Sequence, residues 1–195
     1  MESTINRAIA KPLRPAAIAD LLSPVSPLNY KAGSWLVVPG AVDECVWWVE
    51  SGLVRLYSLS NAGAARNHDF IEPGDWAFAS LAWNNGELCC GGAALGLEAL
   101  EDTVALRVPL TTLQHGRLTS PSVAQWVADE MMRHSSRRMQ REASLLQSSA
   151  QERYLAFLSQ RPGIADRIAQ HHIAAWLGIT PVGLSRIRGR LKDRS

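Results

Sequence analysis

The sequence predicts an α+β chain: an N-terminal antiparallel β-barrel or jelly roll, a long helix, and a C-terminal helix-turn-helix without a full wing. Three observations carry that expectation. Between Tyr30 and Pro109, short apolar runs rich in β-branched and aromatic residues recur with Gly33, Gly40, Gly52, Gly63 and Gly74 as punctuation, the pattern of an antiparallel barrel. Ser120-Pro121 is a helix start signal ahead of a breaker-free stretch reaching about Leu146. His171 to Leu191 reads as two short helices joined by a sharp turn.

The lead-in, residues 1–27, is punctuated by Pro12, Pro15, Pro24 and Pro27 and is helical only around Ala16 to Leu22. A barrel is expected over 28–118, from the runs WLVVPG, CVWWVESG, LVRLYSLSNAG, RNHDFIEPGDW and GLEALEDTVALRVP. Trp83 to Gly92 reads as a loop of glycines, amides and thiols, and a polar turn follows Pro109. The long helix occupies 119–147. Met132, Met139 and Leu146 are seven apart, with Ala128, Ser135 and Glu142 in the other seam position of an imperfect heptad. Packing of this helix on its own barrel is the plainer alternative.

The last unit is 148–195. Gln151 to Gln160 forms an amphipathic helix with Tyr154, Leu155, Phe157 and Leu158 as its apolar face, and Arg161-Pro162-Gly163 ends it as a linker. Ile173, Ala174 and Leu177 then pack one short helix, and Gly178 sits at the turn, where positive φ is expected. Thr180 is placed to cap the next helix, with Pro181 at its first position. Leu184, Ile187 and Leu191 point inward. Val182, Ser185, Arg186 and Gly189 therefore face out, with Arg188, Arg190 and Lys192 on the flanks. An exposed, basic second helix reads as a DNA recognition helix.

Composition narrows the function classes. No apolar run approaches the ~20 residues of a bilayer span, and the first part of the chain lacks a signal-peptide core, so a cytoplasmic protein is expected. Cys45, Cys89 and Cys90 are too few for a disulfide framework or a four-cysteine iron–sulfur cluster, and nothing basic nearby would activate a redox thiol. There is no CxxC pair, and the adjacent His171 and His172 are expected on different helix faces, so neither metal nor cofactor is predicted. The net charge of +2 hides a polarity. Residues 1–132 carry eight Lys/Arg and fourteen Asp/Glu, whereas 133–195 carry twelve and four. A basic C-terminal third is the footprint expected for phosphate binding. No paired carboxylates, nucleophile–base pair or phosphate loop argues for an enzyme.

The order Tyr30-x-x-Gly33, Pro39-Gly40, Val49-x-x-Gly52-x-Val54-x-x-Tyr57, Pro73-Gly74-Asp75 and Ala99-Leu100-Glu101-Asp102 resembles the cyclic-nucleotide-binding barrel of the Crp/Fnr superfamily of bacterial transcription regulators. The helix-turn-helix, including Leu177-Gly178-Ile179-Thr180, is similar to the same superfamily. The resemblance implies a homodimer on double-stranded DNA, with Ala128, Met132, Ser135, Met139 and Leu146 along a dimerisation helix and RNA polymerase as a further partner. It also implies DNA contacts from Thr180, Val182, Ser185, Arg186, Arg188, Arg190 and Lys192. Relatives that bind cyclic AMP carry a Phe-Gly-Glu turn and an Arg-Ser/Thr-Ala segment. Here the turn reads Phe78-Ala79-Ser80 and the later segment Gly91-Gly92-Ala93-Ala94, so loss of the phosphate-pairing arginine predicts no response to cyclic AMP. Phe78, Ser80, Trp83, Cys89, Cys90 and Ala93 are left as the candidate pocket for an unidentified effector, or as a loop filled by its own side chains. The second function class is an effector-binding or protein-interaction module with weakened DNA binding, favoured by Val182 where relatives often carry a base-reading Glu or Arg.

Overall fold

A computed structural model describes residues 14–79, 81–84, 87–89 and 95–192, with Ala82 and Trp83 described by their backbone alone. Ten strands lie among these residues: β1 (Pro27–Tyr30), β2 (Trp35–Val37), β3 (Cys45–Ser51), β4 (Val54–Leu59), β5 (Ala65–Ile71), β6 (Trp76–Ala77), β7 (Ala82–Asn84), β8 (Glu87–Cys89), β9 (Leu95–Ala99) and β10 (Thr103–Pro109). They form two antiparallel sheets, ordered β1-β10-β3-β6 and β2-β9-β4-β5, and a separate β7-β8 hairpin.

The run CVWWVES explains how the sheets are covered. Strand side chains alternate between faces, and here both faces are apolar. Trp47 and Val49 point between the sheets, where they meet Val54, Leu56, Ile71, Leu97 and Ala105. Val46 and Trp48 point outward against helices. Each such side chain contributes about 1.5–3 kcal/mol on leaving water, so β3 anchors two layers at once. Gly52 makes the β3–β4 turn with φ 90°; a Cβ there would lie 2.4 Å from Thr103 Oγ1 and 2.6 Å from the Asp102 carbonyl.

The outer face of the first sheet is covered by a 3-10 turn (Ala16–Ile18) leading into α1 (Ala19–Leu22), by α2 (Leu110–Thr119), and by the first half of α3 (Pro121–Gln147). Ile18 and Leu22 are fully buried, so residues 16–22 of the lead-in belong to the core. After α3 come α4 (Ala150–Gln160), α5 (Pro162–Ala165), α6 (Gln170–Leu177) and α7 (Pro181–Lys192). Ser149 and Glu152 close a reciprocal capping box at the start of α4.

Several local expectations are corrected. The polar turn after Pro109 is helix α2, and Gly116 within it lets Leu21 pack close: a Cβ there would lie 2.8 Å from Leu21 Cδ1. The Trp83 to Gly92 loop contains the β7-β8 hairpin, whose Leu88 N–H donates to Gln114 Oε1 at 3.3 Å. The run GLEALEDTVALRVP splits into β9 and β10, which belong to different sheets. Pro27 opens a strand at the sheet edge, a position where its missing N–H is tolerated. Arg161-Pro162-Gly163 is no bare linker, since α5 begins at Pro162. Leu155 is 45% exposed and leaves the apolar face of α4 to Tyr154, Phe157 and Leu158.

Candidate nucleic-acid interface

The C-terminal helices are locked by a small core. Ile173, Ala174 and Leu177 of α6 and Leu184 and Ile187 of α7 are buried together. Ala174 is fully buried, and small size at that position lets the helices cross closely. Gly178 ends α6 in the left-handed conformation, φ 72° and ψ 26°, with the next N–H, Ile179, returning to the Ala174 carbonyl at 3.0 Å. Arg153 of α4 donates to the Leu177 carbonyl at 2.9 and 3.2 Å, placing a cation on the C-terminal end of α6. Thr180 Oγ1 accepts from the Gly183 N–H at 3.1 Å, so Thr180 serves as helix cap first.

With Leu184 and Ile187 inward, Val182, Ser185, Arg186, Arg188, Gly189, Arg190 and Lys192 are all exposed. Val182 is 62% exposed. Ser185, Arg188, Gly189 and Lys192 form one wall of an open groove of about 400 Å³, and Gln170, at the start of α6, forms part of the other. Gln170 was not legible as a site residue because its role depends on how the two helices cross.

The charge polarity of the chain has a second use. Several arginines of the basic third turn inward to the barrel rather than outward to a phosphate. Arg161 pairs with Asp69 at 2.8 Å and donates to the Phe70 carbonyl at 2.8 Å. Arg167 pairs with Glu101 at 2.5 Å and reaches the Gly52 carbonyl at 3.2 Å. Arg141 of α3 lies 4.1 Å over the Trp176 ring and donates to the Trp176 and Asn67 carbonyls; burial lowers its pKa to about 10.

At the centre Arg55, itself buried, pairs with Glu98 at 2.6 Å, donates to Asn67 at 3.0 Å and to His172 Nδ1 at 3.3 Å, and lies over the Tyr57 ring. Arginine only donates, so Nδ1 must accept and the His172 proton sits on Nε2. Burial, then the Arg55 charge, lowers the His172 pKa to about 4. The His171 and His172 rings lie 4.0 Å apart, correcting the expectation that they diverge.

A second candidate region lies where β6, the segment after it and α3 meet. Trp76 packs between Trp48 and Trp126, with ring centroids 5.4 and 5.2 Å away. Phe78 packs on His134 of α3 at 4.4 Å, and burial lowers the His134 pKa. Trp76, Phe78, Leu81, Trp126 and Glu130 border a cavity of about 20 Å³. Cys89 ends β8. The other pocket candidates fall elsewhere: Ser80, Cys90 and Ala93 lie outside the described residues, as does the Trp83 side chain.

Residues 27–116 match the family described as the cyclic nucleotide-binding domain. This part of the chain is similar to cyclic nucleotide-binding domains. A search of curated proteins finds no significant match. Among solved structures, FixK2 from Bradyrhizobium japonicum is 22% identical with a TM-score of 0.74, covering 87% of this chain and 85% of its own. The c-di-GMP-responsive global regulator CLP from Xanthomonas campestris is 16% identical with a TM-score of 0.70, covering 91% of each chain. A transcriptional regulator of the CRP/FNR family from Thermus thermophilus is 16% identical with a TM-score of 0.66, covering 87% of each chain. At these identities the likeness shows the fold, and the chain as a whole has the Crp/Fnr regulator fold. The cavity of about 20 Å³ between β6 and α3 has room for a water molecule.

Proposed function

We propose that the chain is a sequence-specific, double-stranded-DNA-binding transcription regulator that acts as a homodimer and does not respond to cyclic AMP. The observation that carries this reading is the orientation of α7. Leu184 and Ile187 are buried, so Val182, Ser185 and Arg186 stand exposed with Arg188, Arg190 and Lys192 beside them. Arg186 donates to guanine O6 and N7, Ser185 assists, and Val182 meets a thymine methyl. Arg188, Arg190 and Lys192 hold phosphates. Two copies joined along α3 present two such helices to half-sites about one helical turn apart. The segments Phe78-Ala79-Ser80 and Gly91-Gly92-Ala93-Ala94, which lack the carboxylate and the phosphate-pairing arginine, support the absence of a cyclic-AMP response.

Selection from a random duplex pool tests the reading. The wild type is expected to enrich a palindrome and to bind it equally with and without cyclic AMP. Arg186→Ala should lose about 1–3 kcal/mol on that site and little on random DNA. Enrichment of no palindrome, or of the same one by Arg186→Ala, removes base reading by α7. Binding that requires cyclic AMP removes the effector claim.

A further inference from the structure

Helix α7 carries two glycines, and only Gly183 lies against a neighbour within the chain. Glycine in a helix interior is destabilising relative to alanine, because its backbone loses more freedom on folding. Gly183 sits against the cap: its N–H donates to Thr180 Oγ1, and a Cβ there would lie 3.4 Å from that oxygen. Gly189 has no comparable neighbour, since a Cβ built on it meets nothing within 4 Å. Nor does its backbone need glycine, because the positive-φ glycines are elsewhere. It is exposed, lies one turn beyond Ser185 and Arg186, and forms part of the groove wall between Arg188 and Lys192.

A helix that bears the cost of a glycine on its open face, among cations, is suited to something outside the chain that approaches its backbone closely. We propose that Gly189 is the point of closest approach between α7 and bound DNA, where a phosphodiester enters the groove and packs against the helix backbone at a distance that any side chain would prevent. The charge complementarity comes from Arg188 and Lys192, which flank the same wall. The inference rests on the DNA-binding reading above and adds to it a steric requirement that the basic residues alone do not impose.

Gly189→Ala and Gly163→Ala test it, with affinity for the selected duplex measured at one salt concentration and thermal stability measured in parallel. Gly163, in α5, is also exposed with no neighbour within 4 Å of a Cβ, so it serves as the control. Gly189→Ala is expected to melt at or above the wild-type temperature and yet bind at least about tenfold more weakly, as an inserted methyl does in a closely packed contact. Gly163→Ala should keep wild-type affinity. Gly189→Ala binding as tightly as wild type overturns the inference while leaving the DNA-binding reading intact. So does an equal loss in both variants. Failure of the wild type to bind any duplex overturns both.

Discussion

His172 concentrates the electrostatics of the chain in one side chain. Its Nδ1 accepts from Arg55 and its carbonyl accepts from Asn67 Nδ2 at 2.9 Å, so two of its hydrogen bonds reach the barrel. Its pKa is lowered to about 4, first by burial and then by the Arg55 charge. The sign follows from the direction of the shift: a histidine held neutral when folded contributes stability that is complete above its unfolded pKa near 6.5 and is lost as pH falls from there towards 4. Discounted for partial exposure, the loss is on the order of 1 kcal/mol by pH 5. His68 and His134 are shifted the same way by burial, so the wild type should melt progressively lower from pH 7 to pH 5. His172→Asn should show a shallower decline than wild type when melting is followed across that range. An unchanged slope would mean that His172 is not held neutral by its buried position in the folded chain.

Helix α3 illustrates what one element can do for two neighbours. Val123 and Val127 pack its first half on the barrel, while Arg141 and Leu145 of its second half reach Trp176 and Gly178 of the helix-turn-helix. The face left over carries the candidate seam: Met132 and Met139 are 67% exposed, Leu146 is 80% exposed, and Ala128 and Ser135 are exposed beside them. A second copy along that stripe would remove the methionines from water, so replacing both Met132 and Met139 with Glu should raise the dimer dissociation constant by roughly a hundredfold or more. Light scattering on the 21.3 kDa chain reads this directly, and an intact dimer mass in the double variant would place the seam elsewhere. The long helix was legible because Ser120-Pro121 and a breaker-free run are local signals. Helix α2 was not, because LTTLQHGRLT carries threonines and a glycine whose value lies in contact with Leu21, a residue distant in sequence. The three-residue strands β7 and β8 are likewise too short to show alternation.

The folded chain joins its halves through one shared core. Leu53 and Phe70 of the barrel lie in the same buried cluster as Phe157, Ile164, Ile173 and Leu184 of the C-terminal unit. The Phe70 and Phe157 ring centroids are 6.0 Å apart, and Arg161 ties the Phe70 carbonyl and Asp69 to the start of α5. From sequence, RNHDFIEP marked a strand, but whether its Phe faced the barrel interior or a partner could not be told, since both faces carry apolar and polar residues. The net basic charge of 133–195 likewise suggested phosphate alone, whereas Arg161 and Arg167 are used on barrel carboxylates. A consequence separates this arrangement from two independently folded units. Phe70 is fully buried, so Phe70→Ala should cost about 3–5 kcal/mol, and part of that loss belongs to contacts with the C-terminal unit. Hydrogen exchange of the α6 amides measures where the loss is felt. If barrel and helix-turn-helix are one cooperative unit, α6 protection falls in step with barrel protection in Phe70→Ala, although α6 itself is unaltered. If α6 keeps wild-type protection while the barrel strands lose theirs, the two units fold separately and the arginine contacts between them only orient α6 and α7.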